Sequence, residues 1–221
     1  MLKTHQLQTI YYLDWERSPT NAFWTEVAPC DHVCQIYDSE DDLIDLLEGF
    51  VRNGFQAGDC VVLVTTESHL KALNARLTTN GFDLDALTST DQYITLNAVQ
   101  TLAKFMVNDL PDEALFMNLV NELIDRTYKT GRQVRAFGEM VAMLWEQNNA
   151  GATVQLEHLW NKVCDRESFC LFCAYPKAGF TQDTNASLMH ICGSHNKLIA
   201  NWNKYPTDIF YKNTNRKKAG N

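Results

Sequence analysis

The chain has 221 residues, of which 45% are hydrophobic and 21% are charged, a length and balance typical of one globular domain that buries a core without disulfides. Its 19 basic and 27 acidic residues give a net charge of −8, which argues against direct nucleic-acid binding because that function needs a basic face. The sequence has no apolar run long enough for a membrane span and no signal-peptide core, so we expect a cytoplasmic protein without membrane association and with reduced cysteines.

Residues 1–30 are interpreted as an N-terminal arm with no clear helix or strand period. The arm is rich in aromatic side chains: Tyr11, Tyr12, Trp15, Phe23 and Trp24. If they were exposed on a monomer, these rings would form an apolar patch of unusual size, and aromatic residues are favoured at protein interfaces. We therefore expect the arm to cover either its own domain or a second copy of the chain in a homodimer.

From residue 32 onward, predicted strands and helices alternate. Residues 33–37 are a short apolar strand. Ser39, with Asp42 three residues later, is a capping-box pattern that starts an amphipathic helix, and Asn53-Gly54 is expected to end it. Further strands are predicted at CVVLVTT (60–66), YITL (93–96) and SFCLFCAYP (168–176), and QVRAFGEM (133–140) is predicted to be a strand that runs into a helix.

The last predicted helix carries Leu188, Cys192, His195, Ile199 and Trp202 at steps of three or four. Alternation of strands and helices predicts an α/β fold, with a mainly parallel sheet covered by helices on both faces. The domain is expected to span residues 31–205, followed by a short basic C-terminal tail at 206–221.

Ligands of such sheets bind beyond the carboxyl ends of the strands. The residues predicted there are Tyr37, Asp38, Thr65, Thr66, Glu67, Gly138, Glu139 and Tyr175. This rim of carboxylates, hydroxyls and phenols suits a small organic molecule or a metal ion. It does not suit a polyphosphate, because the turn DSEDD at 38–42 lacks the glycines and the lysine of a phosphate-binding loop.

Individual polar residues have more than one interpretation. Arg135 lies within a strand and either forms a structural ion pair, with Glu139 or Asp38, or contacts a ligand. Glu139 follows a strand-end glycine, where it is either a functional carboxylate or a helix cap. Glu157 is either a solvated residue or part of the site. A histidine on an apolar helical stripe, as His195 is, is more often a hydrogen-bonded core residue than a ligand.

Cysteine and histidine motifs at Cys30-x-His32-x-Cys34, Cys170-x-x-Cys173 and His190-x-Cys192-x-x-His195 raise the question of a metal. A strand alternates its faces, so Cys170 and Cys173 point in opposite directions, whereas a zinc-binding CxxC lies on a turn. None of the cysteines is placed at a helix start beside a histidine. We therefore predict no metal site and no catalytic residue.

Several segments together resemble a known family. DHVCQIYDSEDDLIDLLEGFVRNGFQAGDCVVLVTTE, VRAFGEMVAMLWEQNNAGATVQLEHLWNKV, FCLFCAYP and HICGSH are similar, in order and spacing, to the MEDS domain, the sensory domain of methanogens, methylotrophs and the DcmR regulator. The resemblance implies a RecA/KaiC-like fold that has lost its phosphate-binding loop and a role in sensing small hydrocarbon derivatives. It also implies a set of recurrent polar positions: His32, Tyr37, Arg135, Glu139, Glu157, Tyr175 and His195.

The sequence therefore suggests a non-enzymatic signal-transduction module that binds a small molecule at the strand ends. Its candidate ligand-binding residues are His32, Tyr37, Asp38, Glu67, Arg135, Glu139, Glu157, Tyr175 and His195. Because no kinase or DNA-binding segment follows residue 203, the output is expected to pass through a partner protein such as a kinase or a transcription regulator. The alternatives are a nucleotide-binding or nucleotide-hydrolysing RecA/KaiC relative and a ligand-free dimerisation scaffold; the cofactor is left open.

Overall fold

The computed structural model describes residues 15–19, 24, 28–29, 31–179, 191, 193–200 and 208–212. The strands are β1 (Trp15–Pro19), β2 (His32–Tyr37), β3 (Cys60–Thr65), β4 (Tyr93–Asn97), β5 (Met106–Val107), β6 (Leu110–Pro111), β7 (Val134–Gly138), β8 (Cys170–Pro176), β9 (Lys197–Ala200) and β10 (Asp208–Lys212). The helices are α1 (Glu40–Ala57), α2 (Glu67–Thr79), α3 (Leu84–Ser89), α4 (Ala98–Ala103), α5 (Glu113–Tyr128), α6 (Met140–Glu146) and α7 (Ala150–Arg166).

Eight of these strands form one sheet in the order β1-β10-β9-β2-β8-β7-β3-β4. The six strands from β9 to β4 are parallel, and β10 and β1 extend one edge in antiparallel pairing. β2, β3 and β8 are buried along almost their whole length, which is expected of parallel strands covered on both faces. The predicted α/β fold with a mainly parallel sheet is confirmed.

Helices cover both faces of the sheet and create two apolar cores. α1, α2 and α3 pack on one face, where Phe50 and Leu73 are fully buried. α4 to α7 pack on the other face, around residues such as Phe116 and Leu156. None of the helices in the described part of the chain is long and apolar enough to cross a membrane.

Two predicted helix ends are wrong, and both errors have a packing cause. α1 does not stop at Asn53-Gly54 but continues to Ala57 and ends at Gly58, whose φ of 81° is left-handed. A Cβ on Gly54 would lie 2.6 Å from a methyl group of Val61. The absence of a side chain at Gly54 therefore allows α1 to pack close to the sheet. The last predicted helix is also too long, because Lys197–Ala200 forms the parallel strand β9 instead.

The described part of the arm joins the domain. Trp24 is buried, with its ring 5.1 Å from that of Phe50 and 5.0 Å from that of Phe172. β1 pairs with β10, which lies within the segment predicted as a basic tail. Tyr11, Tyr12 and Phe23 lie outside the described residues.

Arg135 forms a buried ion pair near the amino end of β7. Its Nε donates to Oδ2 of Asp59 at 2.5 Å, and its Nη1 donates to the Trp24 carbonyl at 3.1 Å. The partner is therefore Asp59, rather than Glu139 or Asp38 as the sequence suggested. The guanidinium also lies 6.0 Å from the centre of the Phe50 ring, so it joins the arm, α1 and the sheet.

We predict that Arg135→Ala lowers the free energy of unfolding by about 3–5 kcal/mol, because it leaves the Asp59 carboxylate buried without its cation. The matched control is Arg126→Ala, which breaks an arginine–aspartate pair with side chains 49% and 35% exposed and should cost about 0–1 kcal/mol. Urea unfolding followed by circular dichroism measures both values. Equal losses in the two variants would contradict the structural role of Arg135.

Candidate functional site

The carboxyl ends of β3 and β7 meet at Glu139. Its Oε2 accepts hydrogen bonds from the Thr65 hydroxyl at 2.6 Å and the Thr66 amide at 2.7 Å. Its Oε1 accepts from the Thr66 hydroxyl at 3.2 Å and lies 2.7 Å from Nδ1 of His69. The other ring nitrogen of His69 contacts the carboxylate of Glu40. We call this network of Thr65, Thr66, His69, Glu139 and Glu40 the strand-end network.

Charge pairing sets the protonation of the strand-end network. The hydrogen bond to Glu139, together with the charges of Glu139 and Glu40, raises the pKa of His69 to about 9 despite its partial burial. Burial alone would raise the pKa of Glu139, but hydrogen bonds from His69, Thr65 and Thr66 outweigh burial and lower it. His69 is therefore an imidazolium between two carboxylates at neutral pH.

The start of α1 lies at the same edge and is unsuited to binding an anion. The Ser39 side chain accepts from the Asp42 amide, and the Asp42 carboxylate accepts from the Ser39 amide, which is the predicted capping box. Glu40, Asp41 and Asp42 all lie in the first turn. Nearby, burial followed by the charges of Glu40, Glu146 and Glu139 raises the pKa of Tyr37. This edge offers carboxylates where a phosphate would need amides and a cation.

A second polar group lies inside the core, on the sheet face covered by α7. We define the buried centre as His32 on β2, Glu157 on α7, Cys173 on β8, and His195 just before β9. One nitrogen, oxygen or sulfur atom from each residue lies within 4.8 Å of the other three, and all four side chains are buried. Two of the four, Glu157 and His195, have an exposed fraction of only 1%.

The distances within the buried centre are similar to one another. Nε2 of His32 lies 3.5 Å from one carboxylate oxygen of Glu157, and Nε2 of His195 lies 3.5 Å from the other. The Cys173 sulfur is 3.6 Å from Nε2 of His32. The two imidazole rings lie side by side, with centroids 4.0 Å apart.

Outer hydrogen bonds fix the orientation of these side chains. Nδ1 of His195 lies 2.6 Å from the Ile191 carbonyl, to which it donates, and Nδ1 of His32 lies 3.0 Å from the side-chain oxygen of Asn161. The Tyr175 hydroxyl donates to the Glu157 carboxylate. Both imidazoles therefore direct Nε2 towards the carboxylate.

Desolvation dominates the electrostatics of the buried centre. Burial, followed by the neighbouring His195, lowers the pKa of His32 to about 3. Burial raises the pKa of Glu157, and it raises the pKa values of Cys173 and Tyr175 well above their ordinary ranges. Each group is driven towards its neutral form because the core stabilises isolated charges poorly.

The structure divides the sequence-predicted site residues among different places. His32, Glu157, Tyr175 and His195 come together in and around the buried centre. Tyr37 and Glu139 lie at the strand-end edge. Asp38, at the same edge, forms an ion pair with Lys177 at 2.5 Å.

Two further sequence-predicted residues belong to neither polar group. Glu67 is exposed in the first turn of α2, and Arg135 pairs with Asp59 near the amino ends of the strands.

Sequence reasoning missed His69, Asn161 and Cys173 as members of these groups. The CxxC motif drew attention to the pair Cys170 and Cys173, which face opposite cores as predicted, and gave no sign of the other neighbours of Cys173. His69 follows the end of β3 by four residues, a position within one helical turn of the strand-end edge. That position could have identified His69 as a residue of the strand-end edge.

An apolar cavity of about 30 Å³ lies between α5, α7 and the sheet. Its lining is almost entirely apolar: Val62, Val120, Leu123, Ile124, Thr127, Tyr128, Val134, Ala136, Trp160 and Phe169. Trp160 lies three residues after Glu157 on α7, so the cavity and the buried centre share a helix.

The parallel sheet, the helices on both faces and the acidic strand-end turn define an α/β protein of RecA/KaiC-like fold without a phosphate-binding loop. A KaiC-like protein from the hyperthermophilic archaeon Pyrococcus horikoshii OT3 matches with a TM-score of 0.53 and 10% identity, over 81% of this chain and 77% of that chain. A second protein of the same archaeon matches with a TM-score of 0.52 and 13% identity, over 83% of this chain and 87% of that chain.

The chain belongs to the MEDS family, described as the methanogen/methylotroph, DcmR sensory domain, whose family model matches residues 31–196. None of the curated proteins matches the chain. The family membership confirms the resemblance seen in the sequence and assigns a sensory role at the level of the domain.

We predict that His69 makes stability depend on pH. Its pKa of about 9 lies above the ordinary histidine value of 6.5, so its contribution to stability is fully present below about pH 6.5 and is lost as the pH rises through about 9. Thermal melts of wild type and His69→Gln between pH 6 and 10 should therefore show a difference in melting temperature that shrinks with rising pH. A constant difference would contradict the His69–Glu139 pairing.

Proposed function

We propose that this protein is a non-enzymatic sensory module that binds a small, mainly apolar molecule in the cavity between α5, α7 and the sheet. The apolar lining of that cavity is the observation that carries the proposal. A hydrocarbon derivative with few polar atoms would leave no polar group unsatisfied there. This chemistry agrees with the role in sensing hydrocarbon derivatives that the family resemblance implies.

The size of the cavity limits the ligand. A volume of about 30 Å³ leaves room for about two water molecules, since about 10–15 Å³ suffices for one. An apolar cavity of this kind gains little from water, because water needs two to four polar partners. Molecules with one or two carbon atoms, such as chloromethanes, therefore fit the proposal better than a nucleotide does.

The position of the cavity suggests how occupancy becomes a signal. Leu123 of α5 and Trp160 of α7 line opposite helical walls, so a ligand that fills the cavity favours one spacing of these helices over another. A ligand can shift the population only as far as it binds the two arrangements differently. We propose that a partner protein reads the exposed surface of α5, where Leu115 and Tyr128 are exposed.

Two features support a non-enzymatic role. The Glu139 carboxylate already accepts three hydrogen bonds and pairs with His69, so it is a poor general base. Burial raises the pKa values of Cys60, Cys170 and Cys173, which disfavours the nucleophilic thiolate.

The second candidate function is nucleotide binding, favoured by the KaiC-like fold and by a carboxylate at the end of β7. The capped and acidic start of α1 opposes it. The strand-end edge also remains the site that sequence reasoning favoured for a small ligand, and the experiments below separate it from the cavity.

Leu123→Phe should fill the cavity and weaken binding of xenon and dichloromethane by about tenfold or more. The matched control is Leu119→Phe, which makes the same substitution one turn earlier at another partly buried position of α5 that does not line the cavity. Methyl carbon–proton spectra recorded during titration with each probe give the affinities. Equal binding by the two variants would contradict the cavity as the site.

Glu139→Gln tests the strand-end edge in the same titrations. This substitution removes a charge from the strand-end network and leaves the cavity lining unchanged. We expect Glu139→Gln to bind both probes with wild-type affinity. Loss of binding in Glu139→Gln with retention in Leu123→Phe would move the ligand site to the strand ends.

ATP and GTP with magnesium should give no binding heat in isothermal titration calorimetry. The reason is the turn at 38–42, whose carboxylates repel phosphates and in which the amides of Ser39 and Asp42 are engaged by the capping box. A dissociation constant in the micromolar range for either nucleotide would favour the second candidate function.

A further inference from the structure

We propose that the buried centre binds a divalent transition-metal ion of the zinc type, with His32, Glu157, Cys173 and His195 as its four ligands. This inference does not depend on the proposed ligand cavity, because it rests on different residues. It adds a metal to a site for which the sequence predicted none.

The spacing of the donor atoms matches a tetrahedral ion. Zinc bonds of about 2.0–2.3 Å to nitrogen, oxygen and sulfur place neighbouring donor atoms about 3.3–3.8 Å apart. Nε2 of His32 lies 3.5 Å from Oε2 of Glu157 and 3.6 Å from the Cys173 sulfur, and Nε2 of His195 lies 3.5 Å from the other carboxylate oxygen, Oε1. These three separations fall within the tetrahedral range, and one donor atom from each of the four residues lies within 4.8 Å of the other three.

The imidazole tautomers also point to a cation. Nδ1 of His195 faces the Ile191 carbonyl, which can only accept, so a neutral ring carries its lone pair on Nε2. That lone pair faces a carboxylate oxygen of Glu157 at 3.5 Å, and two acceptors at this distance need either a proton or a metal cation between them. Nδ1 of His32 is likewise engaged, by Asn161. Outer hydrogen bonds of this kind are typical of histidine ligands in metal sites.

Glu157 supplies an independent observation. Its Oε2 is buried and accepts no hydrogen bond from a nitrogen or oxygen atom of a described residue; Oε1 accepts one from Tyr175, and the Cys173 thiol is a weaker donor to the carboxylate. A buried carboxylate oxygen without a donor costs considerable free energy. A metal ion bound to Oε2 would remove that cost while the Tyr175 bond holds the carboxylate in place.

The charges of the donor set balance those of a divalent ion. Two neutral imidazoles, one carboxylate and one thiolate carry a total charge of −2, so a divalent ion gives a neutral complex inside an apolar core. The mixture of nitrogen, oxygen and sulfur donors is typical of zinc and of related ions such as cobalt(II), and unlike the all-oxygen sets of magnesium and calcium.

The four ligands come from four separate parts of the fold: β2, α7, β8 and the segment before β9. A bound ion would connect α7 to the sheet directly. Because four protein ligands complete a tetrahedral shell, the site has no open position for a reacting water. Its role would be structural or regulatory, and ion binding would add to folding stability.

Cobalt(II) titration of full-length protein treated with chelator tests the proposal. We expect one equivalent to bind and to give visible bands of a four-coordinate ion, together with a near-ultraviolet thiolate-to-cobalt band. Cys173→Ser should lose the thiolate band. The matched control Cys170→Ser should keep it, because Cys170 is equally buried on the same strand but faces the opposite core.

X-ray absorption of the wild-type zinc complex keeps the test independent of variant folding. One sulfur scatterer at about 2.3 Å and nitrogen or oxygen scatterers at about 2.0–2.1 Å are expected. The proposal is overturned by failure of the wild type to bind one equivalent, by a shell without sulfur, or by a wild-type cobalt spectrum in folded Cys173→Ser. Failure to bind xenon or chloromethanes would contradict the proposed cavity function and leave the metal proposal standing.

Discussion

The carboxyl group of Glu157 is the constraint on which much of the interior depends. It lies on the inner face of α7, at 1% exposure, where water cannot satisfy it. A buried carboxyl needs hydrogen-bond partners, a proton or a cation. The polar side chains of its part of the core, on β2, β8 and the segment before β9, converge on this group. These contacts hold α7, β2, β8 and the segment before β9 in one arrangement, which apolar packing alone would define less well.

The same constraint is met differently at the strand-end edge. Glu139 is also buried, but backbone and hydroxyl donors from Thr65 and Thr66 surround it, and His69 adds a positive charge. Its charged form is stabilised within the protein, without a further ion. Glu157 has one hydroxyl donor, a thiol donor in Cys173, and two imidazoles whose Nδ1 atoms are engaged elsewhere. Glu139 and Glu157 are similarly buried, but only Glu139 has enough donors to stabilise its charged form. Glu157 is therefore the better candidate for binding a cation.

Local patterns predicted the features of the fold that local physics determines. The apolar runs that became β3, β7 and β8 were identified because parallel strands are buried on both faces, and Ser39 with Asp42 identified the start of α1. Features that depend on distant contacts were missed. Asn53-Gly54 resembles a helix end, but the glycine instead allows α1 to lie close to Val61. The spacing of His195 and Ile199 resembles a helix, but Ile199 lies in β9, which forms by pairing with the distant strands β2 and β10.

For the candidate site too, the sequence indicated some residues but could not show which of them lie together. The family resemblance indicated His32, Glu157 and His195, but the residue pattern alone could not bring together positions more than 120 residues apart, as His32 and Asn161 are. Cys170 and Cys173 face opposite cores, so the prediction that these two cysteines do not share a metal ion agrees with the structure. The actual neighbours of Cys173 come from other elements, so spacing along the chain held no information about them.

α7 connects the two proposed sites. Its Glu157 belongs to the buried centre, and Trp160, about one turn later, lines the apolar cavity. A rigid helix transmits a displacement at one residue to its neighbours on the same face, because its hydrogen bonds resist local bending. If an ion fixes Glu157, a ligand beside Trp160 must move α5 rather than α7 to gain space. The metal would then make α5, the helix with exposed apolar side chains, the element that responds to the ligand.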